Sequence, residues 1–370
     1  MSARKILRPL TVAAAASAMA VPQLVSADPA IAHTSDHHPG QHAQQLRWKD
    51  LDTGSVARFR GLAPVSRKVA WVSGTGGTVL RTDDGGRSWD DVSPGGDTTT
   101  LEFRDIEAFD AHRAVILSIG PGGDSRIYRT SDGGHSWHAG FVNPDPDAFY
   151  DCLGFWDAQH GLAMSDPVDG KFRVIATRNG GRSWSVVDPS GMPDALPGEF
   201  GFAASGTCLV TGGERKAWIA TGGGDHSRVL RTTDRGRTWQ ASPVPVKSSD
   251  AGGIFSLAVK NSRLLAVGGN FLTPDVRART SAYSGDGGHH WTPGGRLGGY
   301  RSGSAWLPGR GGGAVAVGPT GSDVTWDGGR TWQAFETGSL DSVECTLDGA
   351  CWASGDAGRV AVLKGSLHHA

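Results

Sequence analysis

Short runs in which apolar and polar residues alternate, such as Thr78-Val79-Leu80-Arg81 and Arg126-Ile127-Tyr128-Arg129, recur along the chain between clusters of Gly, Asp and Ser. Their length and period predict β-strands. Such a run leads into a nearly constant phrase. Thr82-Asp83-Asp84-Gly85-Gly86-Arg87-Ser88-Trp89 has the form S/T-x-D-x-G-x-S/T-W, and it returns at Thr130–Trp137, Thr232–Trp239 and Thr325–Trp332. Two further copies each depart by one residue: Asn179 replaces the Asp in Thr177–Trp184, and His290 replaces the second hydroxyl in Ser284–Trp291. The Asp side chain can accept hydrogen bonds from nearby backbone N–H groups, and the glycines tolerate positive φ. The phrase therefore predicts a self-stapled hairpin turn, with the next strand starting at its Trp. Such a Trp buries on the order of 150–250 Å², or about 4–6 kcal/mol of transfer free energy as an upper bound. Because turn chemistry accounts for every part of the phrase, Asp84, Asp132, Asn179, Asp234, Asp286 and Asp327 are read as scaffold rather than as catalytic or metal-binding residues.

The Asp (or Asn) positions are separated by 48, 47, 55, 52 and 41 residues. A repeat of that period carrying four short strands predicts a β-propeller. Leu46–Asp52 looks like the strand that comes after a box, yet no box precedes it. At the other end, Ser342–Gly365 holds three strand-like runs and stops where a box should begin. The two fragments complete one another, so an all-β ring of seven four-stranded units is expected over residues 46–365, closed by the N-terminal strand and with Trp48 as the seventh equivalent Trp. Closure removes the sheet edges that an open array would expose. The connections Met192–Glu199 and Thr273–Arg279 are longer than the others and are expected to shape a rim.

Composition adds boundaries rather than a fold. In 370 residues there are 56 Gly and 13 Trp, as suits a protein of tight turns, and the net charge of −1 gives no global argument for nucleic acid as partner. Arg4, Lys5 and Arg8 followed by the apolar Thr11–Leu24 and the small-residue Val25-Ser26-Ala27 read as a secretory signal cut near Ala27. Residues 28–45, with His33, His37, His38 and His42, read as a flexible spacer, and 366–370 as a tail. A monomer, secreted or held in the cell envelope without a membrane span, is expected. Export makes the four cysteines readable as pairs. Cys345 and Cys351 flank the turn signal Asp348-Gly349, and Cys152 and Cys208 occupy corresponding strands of neighbouring units, which favours these two bridges among the three possible connectivities.

Residues that the repeat does not require point to chemistry. Most units open on an aromatic-polar step: Phe59-Arg60, Phe103-Arg104, Tyr150-Asp151, Phe255-Ser256 and Tyr300-Arg301. Their polar members lie 24, 28, 28, 30 and 26 residues before the next box Asp or Asn, hence at one structural level. Arg60, Arg104 and Arg301 are expected to gather at one mouth of the central channel, where guanidinium donors match a carboxylate. Asp105, Asp151, Asp166 and Glu199 are their candidate neighbours, either as part of the binding site or as internal partners of the arginines.

The boxes resemble the Asp-box repeats of bacterial neuraminidases over nearly all of residues 46–365. The Asp-Gly-Gly-x-Ser-Trp form and the sevenfold count are similar to the photosystem II stability/assembly factor family. That resemblance implies a non-catalytic seven-bladed propeller binding a partner polypeptide through an arginine patch, to which Arg60, Arg104 and Arg301 would correspond. Protein, peptide or acidic carbohydrate are the expected partners. A sialidase-like glycosidase is the alternative, supported by Arg60 before the first box. Such an enzyme needs a Tyr nucleophile with a Glu partner after its third arginine, and here no Tyr follows Arg301. Glu199, Asp151 and Tyr300 are its candidate catalytic residues. A structural surface protein without a ligand is the third class. No GxGxxG leads from a strand into a helix, so neither a dinucleotide nor another cofactor is expected, although chains of this kind can carry a generic oxidoreductase label.

Overall fold

A computed structural model describes residues 46–202, 204–309 and 311–365. The signal, spacer and tail assignments lie outside these residues. Twenty-eight strands form seven sheets of four antiparallel strands. The innermost strands are Phe59–Pro64, Glu102–Ala108, Tyr150–Phe155, Leu209–Gly212, Gly252–Lys260, Gly303–Trp306 and Ser342–Cys345, heading blades 1 to 7 in that order. Each contacts the innermost strand of the blade on either side, and the contact of the first with the last closes the ring.

Closure works as the sequence predicts. Arg47–Leu51 runs antiparallel to Val360–Lys364, with Trp48 opposite Leu363, and becomes the outer strand of blade 7. Trp48 also does what the box tryptophans do, which is to wedge into the preceding blade. Its Nε1 donates to Ser322 Oγ of blade 6 at 2.9 Å. In the same way Trp137 of blade 2 donates to Val92 O and packs edge-on against Trp71 of blade 1. Trp89 of blade 1 packs edge-on against Trp352 of blade 7. Each box thus ties its own turn and the seam between two blades.

The turn chemistry is also as expected. Asp84 Oδ1 accepts from the backbone N–H of Arg87 and Ser88, Oδ2 accepts from Ser88 Oγ, and Thr82 Oγ1 accepts from Gly86 N–H at 2.9 Å. Gly85 and Gly86 sit at φ 83° and 78°, a region that glycine enters without steric cost. These bonds favour the anion and pull the Asp84 carboxyl down to about 2. Cys152 is bridged to Cys208 between blades 3 and 4, and Cys345 to Cys351 across the hairpin of blade 7. Two disulfides point to an oxidising, extracytoplasmic setting. Among the described residues no helix is long and apolar enough to cross a membrane.

Candidate functional site

The site begins with an irregularity in the inner strands. In blade 1, Phe59 pairs with Gly74 and Gly61 with Ser73, which leaves Arg60 as an extra residue. Blades 2, 3 and 5 have the same break, and the extra residues are Arg104, Asp151 and Phe255. A bulge kinks its strand and re-aims the side chain it carries. Arg60 of blade 1 is within electrostatic reach of Arg104 of blade 2, of Asp341 beside blade 7, and of Tyr300 beside blade 6. Arg104 in turn acts on Asp151 of blade 3. Side chains from so many blades meet only at the axis, so the bulges converge on one channel mouth.

Arg60 is the unusual member. Its guanidinium makes no ion pair or hydrogen bond among the described residues, and its Nε is buried without a partner. Burial, then the positive charges of Arg104 and Arg58, push its pKa below the usual arginine value. A desolvated cation beside two others is a costly arrangement that an incoming anion would relieve. The neighbours are differently placed. Arg104 pairs with Glu102 at 2.9 Å. Arg58, not among the residues expected at the mouth, grips both oxygens of Asp341 at 2.7 Å. Its position next to the aromatic Phe59 was the signal available for it.

Arg301 departs from the expected gathering. Gly303 pairs with Val317, Ser302 N–H donates to Val317 O, and Gly318 faces the backbone of Tyr300 and Arg301. Relative to blade 1 the register is offset by one residue. Tyr300 therefore corresponds to Arg58, Arg301 to the core residue Phe59, and Ser302 to Arg60. Accordingly Arg301 is only 1% exposed, donates Nε to Asp323 at 2.6 Å and is held further by Thr320 Oγ1 and Tyr300 O. The same logic corrects blade 5, where Phe255 rather than Ser256 occupies the bulge.

The acids divide likewise. Asp151 is buried against Asp166, and desolvation followed by the neighbouring carboxylate raises its pKa far above the usual range. Asp166 is raised as well, chiefly by burial, and its Oδ1 accepts from Gly201 N–H at 2.7 Å. Asp105, also buried, accepts from Leu153 N–H at 2.6 Å and is pushed up to about 7 by burial. Glu107, two residues further along the same strand, is pushed up to about 8 by burial and by Asp105. Glu344 of blade 7 is raised well above its ordinary value by burial, Glu107 and Asp105. Neither glutamate stands out in the sequence, although strand alternation places Glu107 on the face of Asp105. Among the described residues no group of three His, Cys, Asp or Glu side chains is arranged to hold a metal ion.

Of the glycosidase candidates, Glu199 is engaged elsewhere. Glu199 is buried, forms a two-pronged ion pair with Arg228, and accepts from Thr221 Oγ1 at 2.6 Å and Leu196 N–H at 2.8 Å. Both of its oxygens are spent on fixing the Met192–Glu199 connection. Burial raises the pKa of the Tyr300 phenol well above its ordinary value, opposing formation of a phenolate nucleophile.

The other half of the mouth is aromatic. Phe202 stacks on Phe255 at 4.0 Å, Phe255 meets Tyr300 edge-on at 4.6 Å, and Phe200 and Phe271 extend the cluster. Blades 1 to 3 therefore present charge at the mouth, whereas aromatic rings cover the side of blades 4 to 6.

Solved structures can be set against this geometry. "YCF48 bound to D1 peptide" superposes with a TM-score of 0.60 at 16% identity, covering 90% of this chain and 98% of that one. The chain is similar in fold to YCF48. A second YCF48, from Cyanidioschyzon merolae, gives 0.58 at 14% identity over 86% of this chain and 98% of the other. The GH74 xyloglucanase from Xanthomonas campestris gives 0.59 at 14% identity, covering 85% of this chain and 53% of that enzyme. At such identities the likeness to YCF48 and to the xyloglucanase is one of fold. No protein-family profile and no curated protein matches the sequence.

Proposed function

We propose that this is an exported, non-catalytic propeller that binds a peptide carboxylate at the channel mouth, with Arg60 as the central donor and Arg58 and Arg104 beside it. The observation that carries the reading is the Arg60 guanidinium, desolvated and without an acid partner among the described residues. A carboxylate would satisfy its paired N–H donors and cancel the repulsion from Arg58 and Arg104. A peptide is favoured over an acidic sugar by the fold-level likeness to YCF48, whose structure holds a peptide. Export is supported by the basic-apolar-small order of residues 4–27 and by the two disulfides.

Calorimetric titration of the wild type and Arg60→Ala with short peptides ending in a free carboxylate tests the assignment. Binding to the wild type with about a hundredfold loss in Arg60→Ala is expected, the scale of losing a charged hydrogen-bonded pair. Unchanged affinity in the variant would remove Arg60 from the site.

A further inference from the structure

We propose that the peptide whose carboxylate Arg60 takes is anchored a second time, through apolar side chains, on the blade 5 loop of residues 271–280. The inference rests on the peptide-carboxylate function and adds the chemistry of the partner's neighbouring residues. The loop shows Phe271, Leu272 and Val276 to solvent, at 48%, 72% and 41% exposure. Single apolar residues on a surface, such as Val56 or Leu347 here, need no explanation. Three on one loop, joined to a buried aromatic stack, form a patch, and patches of that kind mark contact sites.

The loop is held rather than loose. Phe271 N–H donates to Ala251 O, Leu272 and Thr273 N–H donate to Asn270 Oδ1, and Pro274 O accepts from Tyr300 N–H at 2.7 Å. At its far end Arg279 O accepts from Lys247 N–H. The apolar side chains are thus exposed on an ordered backbone, which lowers the entropy lost on binding.

Position ties this patch to the cationic mouth. Phe271 packs edge-on against Phe255, Phe255 packs against Tyr300, and Tyr300 lies within electrostatic reach of Arg60 and Arg58. Two rings, Phe255 and Tyr300, therefore link the apolar loop to the unpaired guanidinium. Arg277 and Arg279, both exposed on the same loop, add positive charge at its edge. The complementary partner is a single extended chain carrying a carboxylate and, a few residues away, apolar side chains. A lipid surface is the less fitting occupant, because the Arg60 guanidinium is recessed and a flat layer of headgroups would not reach it.

The test uses a fluorescein-labelled Gly/Ser octapeptide with Phe and Leu near its free C-terminal carboxylate, its counterpart with Ser at both places, and the C-terminal amide of each. Anisotropy titrations are run on the wild type and on a Phe271→Ser/Leu272→Ser double variant whose thermal midpoint is checked first. On the wild type the Phe/Leu peptide is expected to bind about tenfold tighter than the Ser peptide, and in the double variant that gap should vanish. Equal affinity of the two peptides, a gap that survives in the double variant, or no binding of either peptide would overturn the inference. Amidation separates the two claims: if the amide binds as well as the acid, the carboxylate reading fails while the apolar gap stands. Co-sedimentation of the wild type, but not the double variant, with phosphatidylglycerol vesicles in the absence of a peptide gap would make the loop a lipid contact and sink the proposal.

Discussion

Asp84 and Asp105 are the same side chain in two regions of one molecule, and their environments could hardly differ more. In the turn, backbone N–H groups and a hydroxyl surround the Asp84 carboxylate and hold it at about 2. In the hub, Asp105 is buried and held at about 7. The turn pairs its carboxylate with hydroxyl and backbone groups of its own phrase, which is why one phrase serves around the ring with only small departures. The hub leaves charges unmatched, and its bulge residues change from blade to blade: Arg60, Arg104, Asp151 and Phe255. Where the repeat is uniform the physics is that of folding. Where it varies, the residues carry costs that folding alone does not explain.

The sharpest way to break this contrast is inside the hub, at a charge that is matched. Asp323→Ala would leave Arg301 buried beside a vacated anion, and a stability loss of about 3–5 kcal/mol is expected from denaturant midpoints. Replacing both partners, Arg301→Met with Asp323→Leu, should recover most of that loss, because the buried pair itself is close to neutral against apolar packing. A small loss in Asp323→Ala would mean that water reaches Arg301, and that its burial does not set it apart from Arg60.

The two carboxylates also predict opposite pH responses. A folded-state pKa depressed to about 2 makes Asp84 stabilising above its unfolded value near 4, and that contribution is lost as pH falls through 2. Asp105 works the other way. Its folded form keeps a proton that the unfolded chain releases near 4, so stability falls as pH rises from about 4 to 7, and Glu107 extends the fall to about 8. Asp105→Asn keeps an acceptor for Leu153 N–H and removes the titration. Its stability relative to wild type should rise by roughly 2 kcal/mol between pH 5 and pH 8, read from urea midpoints. A difference independent of pH would show Asp105 to be ionised and solvated.

The fold was legible because its determinants are local. The phrase ending in Trp89 contains all the partners of Asp84, and the unpaired strand at Trp48 needed the open edge after Ser342. Both disulfides could be paired from equivalent positions in neighbouring units and from a hairpin turn. The site was only half legible, because its membership turns on a single residue of register. Tyr300-Arg301 reads like Phe59-Arg60, yet the offset in blade 6 sends Arg301 into the core and leaves Ser302 in the channel position. Whether an arginine finds an acid depends on contacts between residues far apart in sequence, such as Arg58 with Asp341, and spacing along the chain carries no trace of them. The ion pair of Glu199 was hidden for the same reason, since Arg228 reaches it from another strand.

The smallest expected stability effect is the most informative one. Arg60 and Arg301 both come directly after an aromatic residue, and both have guanidinium groups whose pKa burial depresses. Only Arg301 has its acid. Arg60→Met removes a desolvated cation that no acid pairs with directly and keeps a side chain of similar reach, so folding stability should change by no more than about 0.5 kcal/mol, or rise slightly. Thermal and urea midpoints measured beside those of Asp323→Ala make the comparison direct. A loss at Arg60→Met approaching that at Asp323→Ala would mean that the fold uses this guanidinium for its own cohesion, and nothing at the hub would then call for an anionic ligand. Near-neutral stability with abolished peptide binding would instead show that the unmatched charge is kept at the hub for a ligand.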